Sequence, residues 1–364
     1  MEWFKQYSSN TLGGSGNHSV FFIDDDDEHK GRVYYKIFSG GTYQYSLLFS
    51  NIVDGTYEEG QESRCNKVCD EWELIQVNVG VCDTCDENTA VTPEKMQRLT
   101  FDGKESKRVM PGEFFTSDAM EFTAKKDQYL CVEVVFRGSM IPNHEQSILP
   151  AFVWEAGQWV PSRNFPFPGM IGCDRKVKGK IGFLGDSITQ GIGTPRNAYT
   201  HWCALTAEAV GDDFSYWNLG LGFGRAQDAA SDGAWMFKAK QMNGIVLCFG
   251  TNDIGKNRTE EELKEDLSTI ICKLKESGVK ILLQTLPPFG WEDKKLETWI
   301  HVNQYIRETL AAEVDAVFDI APLLTDGPEL EGKLKYCDHP NEEGCRIWSE
   351  ALVPVLKDFL QKIG

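Results

Sequence analysis

No apolar run in this 364-residue chain approaches the length of a membrane span, so nothing in it reads as a transmembrane helix. Positive charge is scarce: 37 Lys and Arg stand against 55 Asp and Glu, a formal net charge of −18. The imbalance is −12 over residues 1–174 and −6 over the rest. Nucleic acid is therefore not the expected partner, and polyanionic substrates are disfavoured while neutral ones are not. The start, Met1-Glu-Trp-Phe-Lys-Gln6, lacks the basic end and apolar core of a secretory signal, so a cytoplasmic location is expected, with no membrane partner. A disulfide framework is missing too, because the 11 cysteines are odd in number and scattered. Cys65, Cys69, Cys82 and Cys85 have the composition of a zinc site. However, residues 71–81 between the pairs read as one strand, which at ~3.3 Å per residue would hold them roughly 30 Å apart. Buried or loop thiols are the expectation, with zinc left open. The acidic run Asp24–Glu28 lacks the spacing of a cation loop and reads as a solvated turn.

What is present is the composition of a soluble globular chain, 41% hydrophobic and 25% charged, longer than a single core usually organises. Two domains are expected, residues 1–168 and 169–364. Short β-rich stretches at 33–38, 43–49, 72–79, 114–122 and 129–136, separated by turn residues, predict a β-sandwich or jelly roll in the first. The proline-rich stretch 160–169 cannot hold regular structure and reads as the link. Beyond it, strands near 180–184, 215–219, 244–249, 279–285 and 314–319 alternate with helical segments, one of them opened by the capping box Thr259–Glu262. Such alternation predicts an α/β domain with a parallel sheet and helices on both faces.

Chemistry is signalled first by Ile181-Gly-Phe-Leu-Gly-Asp-Ser-Ile-Thr-Gln-Gly191, which presents Ser187 where a buried strand turns into a helix. Free N–H groups at a helix start can hold an oxyanion, although a serine there can also be a plain N-cap. Three further segments follow in order: Asn218-Leu-Gly-Leu-Gly-Phe-Gly224, Gly250-Thr-Asn-Asp253 and Asp338-His-Pro-Asn341. Acyl transfer needs a nucleophile, a base of near-neutral pKa and donors aimed at the tetrahedral oxyanion. Ser187, His339 and Asn252 are the residue types for those roles, and Ser187 and Asn252 each follow a predicted strand, at the edge where open α/β sheets bind ligands. His201 and His301 fall in helical stretches, and His18, His29 and His144 lie far from these segments.

The four blocks resemble those of the SGNH hydrolases, the GDSL-type esterases and lipases, over about residues 176–364. That resemblance implies a three-layer, flavodoxin-like fold with Ser187 as nucleophile and His339 as general base. It also implies an oxyanion hole made of the Ser187 N–H, a glycine-loop N–H and the Asn252 amide. No cofactor is implied. Two positions depart from the family pattern. Tyr336 stands where the family places its third acid, with Asp338 adjacent to His339, so a serine–histidine dyad is an open alternative to a triad. Counting from Asn218 also puts Phe223 where a glycine is usual, leaving Gly222, Phe223 or Gly224 as the donor. Arg225 and Asp186 are candidate substrate contacts, Arg225 being equally readable as a surface ion pair. A β-sandwich ahead of such a domain is similar to carbohydrate esterase family 2. An acetylesterase acting on a neutral, plant-derived oligosaccharide is therefore expected, and Trp154 and Trp159 read as core before sugar-stacking rings. A general short-chain or lipid esterase is the alternative among enzymes, against which stands the lack of a long apolar lid. A non-catalytic carbohydrate-binding protein on the same fold is the alternative of another class. Self-association is left open by the sequence.

Overall fold

The computed structural model describes residues 1–17, 19–23, 27–55, 57–58, 62–63, 65–145, 148–162, 164–165 and 168–363. His18, most of the acidic run and three residues of the expected link (Arg163, Pro166, Phe167) lie outside them. The chain divides into two compact units: Met1–Val177 with Ser215–Trp217, and Lys178–Phe214 with Asn218–Gly364.

The first unit is antiparallel. One sheet runs in the order Gln158–Pro161, Ala151–Glu155, His29–Lys36, Tyr129–Arg137, Trp72–Cys82, Met96–Arg98, with Lys107–Val109 also paired to Trp72–Cys82. A second sheet orders Met120–Ala124, Gly41–Ser50 and Met170–Cys173. Burial roughly alternates along Trp72–Cys82, where Leu74, Val77 and Val79 are buried, whereas residues 31–35, 129–134 and 45–50 are buried one after another, Val33, Tyr35, Val132, Val134, Leu47 and Phe49 among them. Between the valines, Arg32 and Lys30 converge on Glu133 at 2.6 and 3.2 Å. The single strand expected over 114–122 is two, Phe114–Thr116 and Met120–Ala124, both paired with Gly41–Ser50. The break arises because the Asp118 carboxylate turns away to accept Thr100 Oγ1 at 2.5 Å and Gly103 N at 2.8 Å. None of the 11 cysteines is in a disulfide, and among the described residues no three His, Cys, Asp or Glu side chains group as a metal site.

The second unit is built on a five-stranded sheet in the order Ser215–Gly220, of which Asn218–Gly220 belong to this unit, then Lys180–Gly185, Gly244–Cys248, Lys280–Gln284 and Ala316–Phe318. From Lys180–Gly185 onward the pairings are parallel. Ile245, Val246 and Leu247 are entirely buried, which requires cover on both faces, hence near-continuous apolar runs rather than alternation. Helices Trp202–Val210 and Glu342–Leu360 pack together through Trp202 and Trp348, stacked at 4.8 Å with an interplanar angle of 3°. Glu260–Glu276 packs on Ala226–Ala230 and on Asp293–Glu308, burying Leu263, Leu267, Ile270 and Leu274. Its capping box forms as the sequence predicts: Glu262 N–H donates to Thr259 Oγ1 at 3.3 Å, and Thr259 N–H to Glu262 Oε2 at 2.9 Å. Among the described residues, no helix is long and apolar enough to cross a membrane.

Candidate active site

Ser187 opens a one-turn helix, Ser187–Gln190, directly after the strand Lys180–Gly185. Asp186 caps that helix, its Oδ1 accepting the Ile188 N–H at 3.0 Å. The neighbouring strand closes in from the side: Asn218 Nδ2 donates to Gln190 O at 3.1 Å while its Oδ1 accepts Gly220 N–H at 2.9 Å. Gly220 lies so near that a Cβ there would sit 2.3 Å from Gln190 N, so only glycine permits the approach. The nucleophile helix and the glycine block are thus tied by backbone contacts.

His339 arrives from a loop whose end is fixed by Asn341, the N-cap of Glu342–Leu360, with Oδ1 accepting Gly344 N–H at 3.0 Å. Its Nε2 is 2.9 Å from Ser187 Oγ, across 152 residues of sequence. That is hydrogen-bond distance for a base and its nucleophile. Burial pushes the imidazole pKa below its ordinary 6.5, and Asp338 pulls it partly back up. The ring is therefore neutral near pH 7 and able to accept a proton. Asp338 is the expected orienter, but its Oδ1 is 3.6 Å from Nδ1, beyond a hydrogen bond, and accepts instead the backbone N–H of His339 at 2.7 Å. Its side chain is 56% exposed. Tyr336, at the family's usual acid position, is buried and accepts Asn341 N–H on its carbonyl.

Asn252 sits in the short helix Thr251–Gly255, at the carboxyl end of strand Gly244–Cys248. Gly250 makes the turn possible at φ +135°, a conformation that side chains rarely adopt. Asn252 Nδ2 donates to Gly224 O at 2.9 Å. An amide carries two N–H bonds, so one is left for a ligand. Among the three candidate loop donors, Gly224 N–H is already given to Leu221 O at 3.0 Å, closing a turn in which Phe223 has φ +57°. Gly222 N–H has no partner among the described residues, and neither does Ser187 N–H.

The two expected substrate contacts are otherwise engaged. Asp186 is 3% exposed and serves as the cap just described; burial, with Asp253 nearby, raises its pKa to about 7. Arg225 is paired to Asp228, Nη2 to Oδ1 at 2.8 Å and Nε to Oδ2 at 3.1 Å. Of the other histidines, His201 stands fully buried before Trp202–Val210 and His301 bonds Glu260 at 2.7 Å.

Sequence reasoning missed two residues. Phe289 meets the His339 ring edge-on at 5.5 Å and packs on Trp291 at 5.0 Å. The signal available was Pro287-Pro-Phe-Gly290, a loop just past the carboxyl end of the strand Lys280–Gln284. Asp253, fully buried, accepts Ala226 N–H on Oδ2 at 2.9 Å and Gln227 N–H on Oδ1 at 3.3 Å. Its signal was only its place beside Asn252.

A serine within hydrogen-bond distance of a histidine, beside unpaired N–H donors at the carboxyl ends of parallel strands, is the arrangement that acyl transfer requires. Residues 183–347 match the model of the GDSL-like Lipase/Acylhydrolase family. No curated protein matches the chain. Solved structures with similar folds include a member of the lipolytic protein G-D-S-L family from Veillonella parvula. That structure is 20% identical, with 49% of this chain and 98% of that one covered and a TM-score of 0.41. An aryl esterase from M. smegmatis is 19% identical over 50% and 99% of the two chains, with a TM-score of 0.40. A carbohydrate esterase family 3 structure from Talaromyces cellulolyticus is 16% identical over 52% and 100%, with a TM-score of 0.38.

Proposed function

We propose that the protein is a serine esterase that removes acetyl or similarly short acyl groups from neutral carbohydrates, foremost plant-derived oligosaccharides. The observation that carries the esterase part is the 2.9 Å contact between Ser187 Oγ and His339 Nε2 beside the unpaired N–H groups of Ser187 and Gly222. Ser187 Oγ attacks the ester carbonyl and its proton passes to Nε2. The oxyanion is met by the Ser187 and Gly222 N–H groups and by the second N–H of Asn252. As the intermediate collapses, the ester C–O bond breaks and His339 gives the proton to the leaving sugar oxygen, which departs as a hydroxyl. Water then repeats the sequence on the acyl-serine, releasing acetate. In this reading His339 works chiefly with Ser187 as a dyad, Asp338 acting on the imidazole only as a nearby charge.

The carbohydrate part is supported by the four-block resemblance behind a β-rich first domain and by the net charge of −18, which leaves a neutral substrate unopposed. Phe289, edge-on to His339, offers an apolar wall of the kind a sugar ring packs against. We read the antiparallel unit as a jelly-roll-like accessory module. We read the chain as a cytoplasmic enzyme acting on imported oligosaccharide without cofactor, nucleic acid or membrane, which its eleven cysteines, none in a disulfide, suit.

The test is acetate release by wild type and Ser187→Ala from acetylated xylo-, manno- and gluco-oligosaccharides, with p-nitrophenyl acetate and octanoate alongside. Release from one sugar class that vanishes in the variant is expected. Turnover confined to the nitrophenyl esters would move the assignment to a general or lipid esterase. No turnover and no reaction of Ser187 with a fluorophosphonate would leave a carbohydrate-binding protein.

A further inference from the structure

We propose that Asp253 is a positioning residue that holds the oxyanion-binding loop in register with Asn252. The assignment rests on the esterase reading above. Asn252 and Asp253 are neighbours in one short helix, and each grips the glycine block at a different point. Asn252 holds Gly224 through its carbonyl at 2.9 Å, and Asp253 holds Ala226 and Gln227 through their N–H groups at 2.9 and 3.3 Å. Gly222, whose N–H is unpaired, lies two residues before the first grip. Loop and amide therefore move together only while the carboxylate keeps both bonds. A carboxylate accepts at both oxygens; an amide in its place has one acceptor and would turn an N–H toward the second donor.

Asp253 is fully buried. The charged groups facing it come from each element packed against it. These are Asp186 at the cap of the Ser187 helix, Asp228 within the gripped helix, Asp266 of Glu260–Glu276, and Arg258 just before that helix. Arg258 is itself bound to Asp266, Nη2 to Oδ1 at 3.0 Å. Burial first, then the neighbouring acids, raise the Asp253 pKa to about 7, against the pull of its two backbone donors. On protonation one oxygen becomes a donor and one grip is lost, so turnover should fall as pH drops through about 7.

The experiment compares kcat and KM for p-nitrophenyl acetate in wild type, Asp253→Asn, Ala226→Pro and the double variant from about pH 5.5 to 9. Thermal melting is followed alongside. Ala226→Pro deletes the gripped N–H while suiting the backbone: position 226 is the first of its helix, and Arg225 before it is extended (φ −119°, ψ 154°). The expected result is a loss in kcat of about tenfold or more for each single variant with KM within about twofold. The double variant should be no worse than either single, and the acid limb near pH 7 should be missing in Asp253→Asn. An active wild type with Asp253→Asn within about twofold of it, or single losses that multiply in the double variant, would overturn the proposal. Should Asp253→Asn fail to fold, Ala226→Pro and the wild-type profile decide: unchanged kcat in the former, or a flat wild-type kcat from about pH 6 to 8, overturns it. An inactive wild type would overturn the esterase reading itself, a different failure from an active enzyme indifferent to Asp253.

Discussion

The antiparallel unit and the site of the parallel unit use their polar groups in opposite ways. In the first, Arg32 donates to Glu133 and to the Val91 carbonyl, Asn78 donates to Glu133, and Lys30 joins the same carboxylate. In the second, the residues just past the carboxyl ends of three adjacent strands keep donors in reserve: the N–H groups of Ser187 and Gly222 and the second amide hydrogen of Asn252. A group already paired within the protein lends stability, whereas a donor held in place without a partner is available to a transition state, at some cost to the folded state. The difference separates scaffold from site without recourse to any relative.

Substitutions sharpen that contrast, beginning with the deepest expected loss. Ser187→Ala or His339→Ala should lower kcat for p-nitrophenyl acetate by about 10³-fold or more with little change in melting temperature. Turnover within tenfold of wild type would place the nucleophile elsewhere. Asn252→Ala removes one oxyanion donor and its hold on Gly224, and should lower kcat by about 10²-fold with KM nearly constant. A rise in KM at constant kcat would make Asn252 a substrate-binding group instead. In the other unit, Arg32→Ala leaves the buried Glu133 with Lys30 as its one remaining cation and Asn78 as a neutral donor, and should destabilise the protein by about 3 kcal/mol in denaturant unfolding while kcat per folded molecule stays unchanged. A large loss of kcat in that variant would erase the division of labour drawn above. The smallest effect is expected for Asp338→Asn. At 3.6 Å the carboxylate supports the imidazolium only by charge, so turnover should fall by less than about tenfold. Because Asp338 raises the His339 pKa, the acid limb belonging to His339 should move to lower pH in this variant. A loss as deep as that of Ser187→Ala would instead make Asp338 a true triad member.

Much of this was legible in the one-dimensional chain. The parallel strands fall within about two residues of where apolar runs bounded by turn residues predict them, because strands buried on both faces must be apolar throughout. Where side-chain chemistry competes with that pattern the reading failed, as at Ser117 and Asp118, where local hydrogen bonds break an otherwise β-rich run. Ser187, Asn252 and His339 were nameable because their neighbours prescribe turns and helix starts. Asp186 and Arg225 were named for the same reason, yet the structure has them capping a helix and pairing with Asp228. Sequence proximity to a catalytic residue does not tell which way a side chain turns.

The sequence by itself determined the alternation of strand and helix, the glycines that allow close approach and unusual dihedrals, and the residue types that chemistry could use, since each depends on neighbours within a few positions. Only the tertiary structure decided which of those residues meet. The 152-residue span between Ser187 and His339, the engagement of Gly224 N–H by Leu221 O, and the grip of Asp253 on Ala226 and Gln227 all arise where separate strands end side by side. Hydrogen bonds of that kind depend on distances set by packing across the whole sheet, and local sequence carries no record of them.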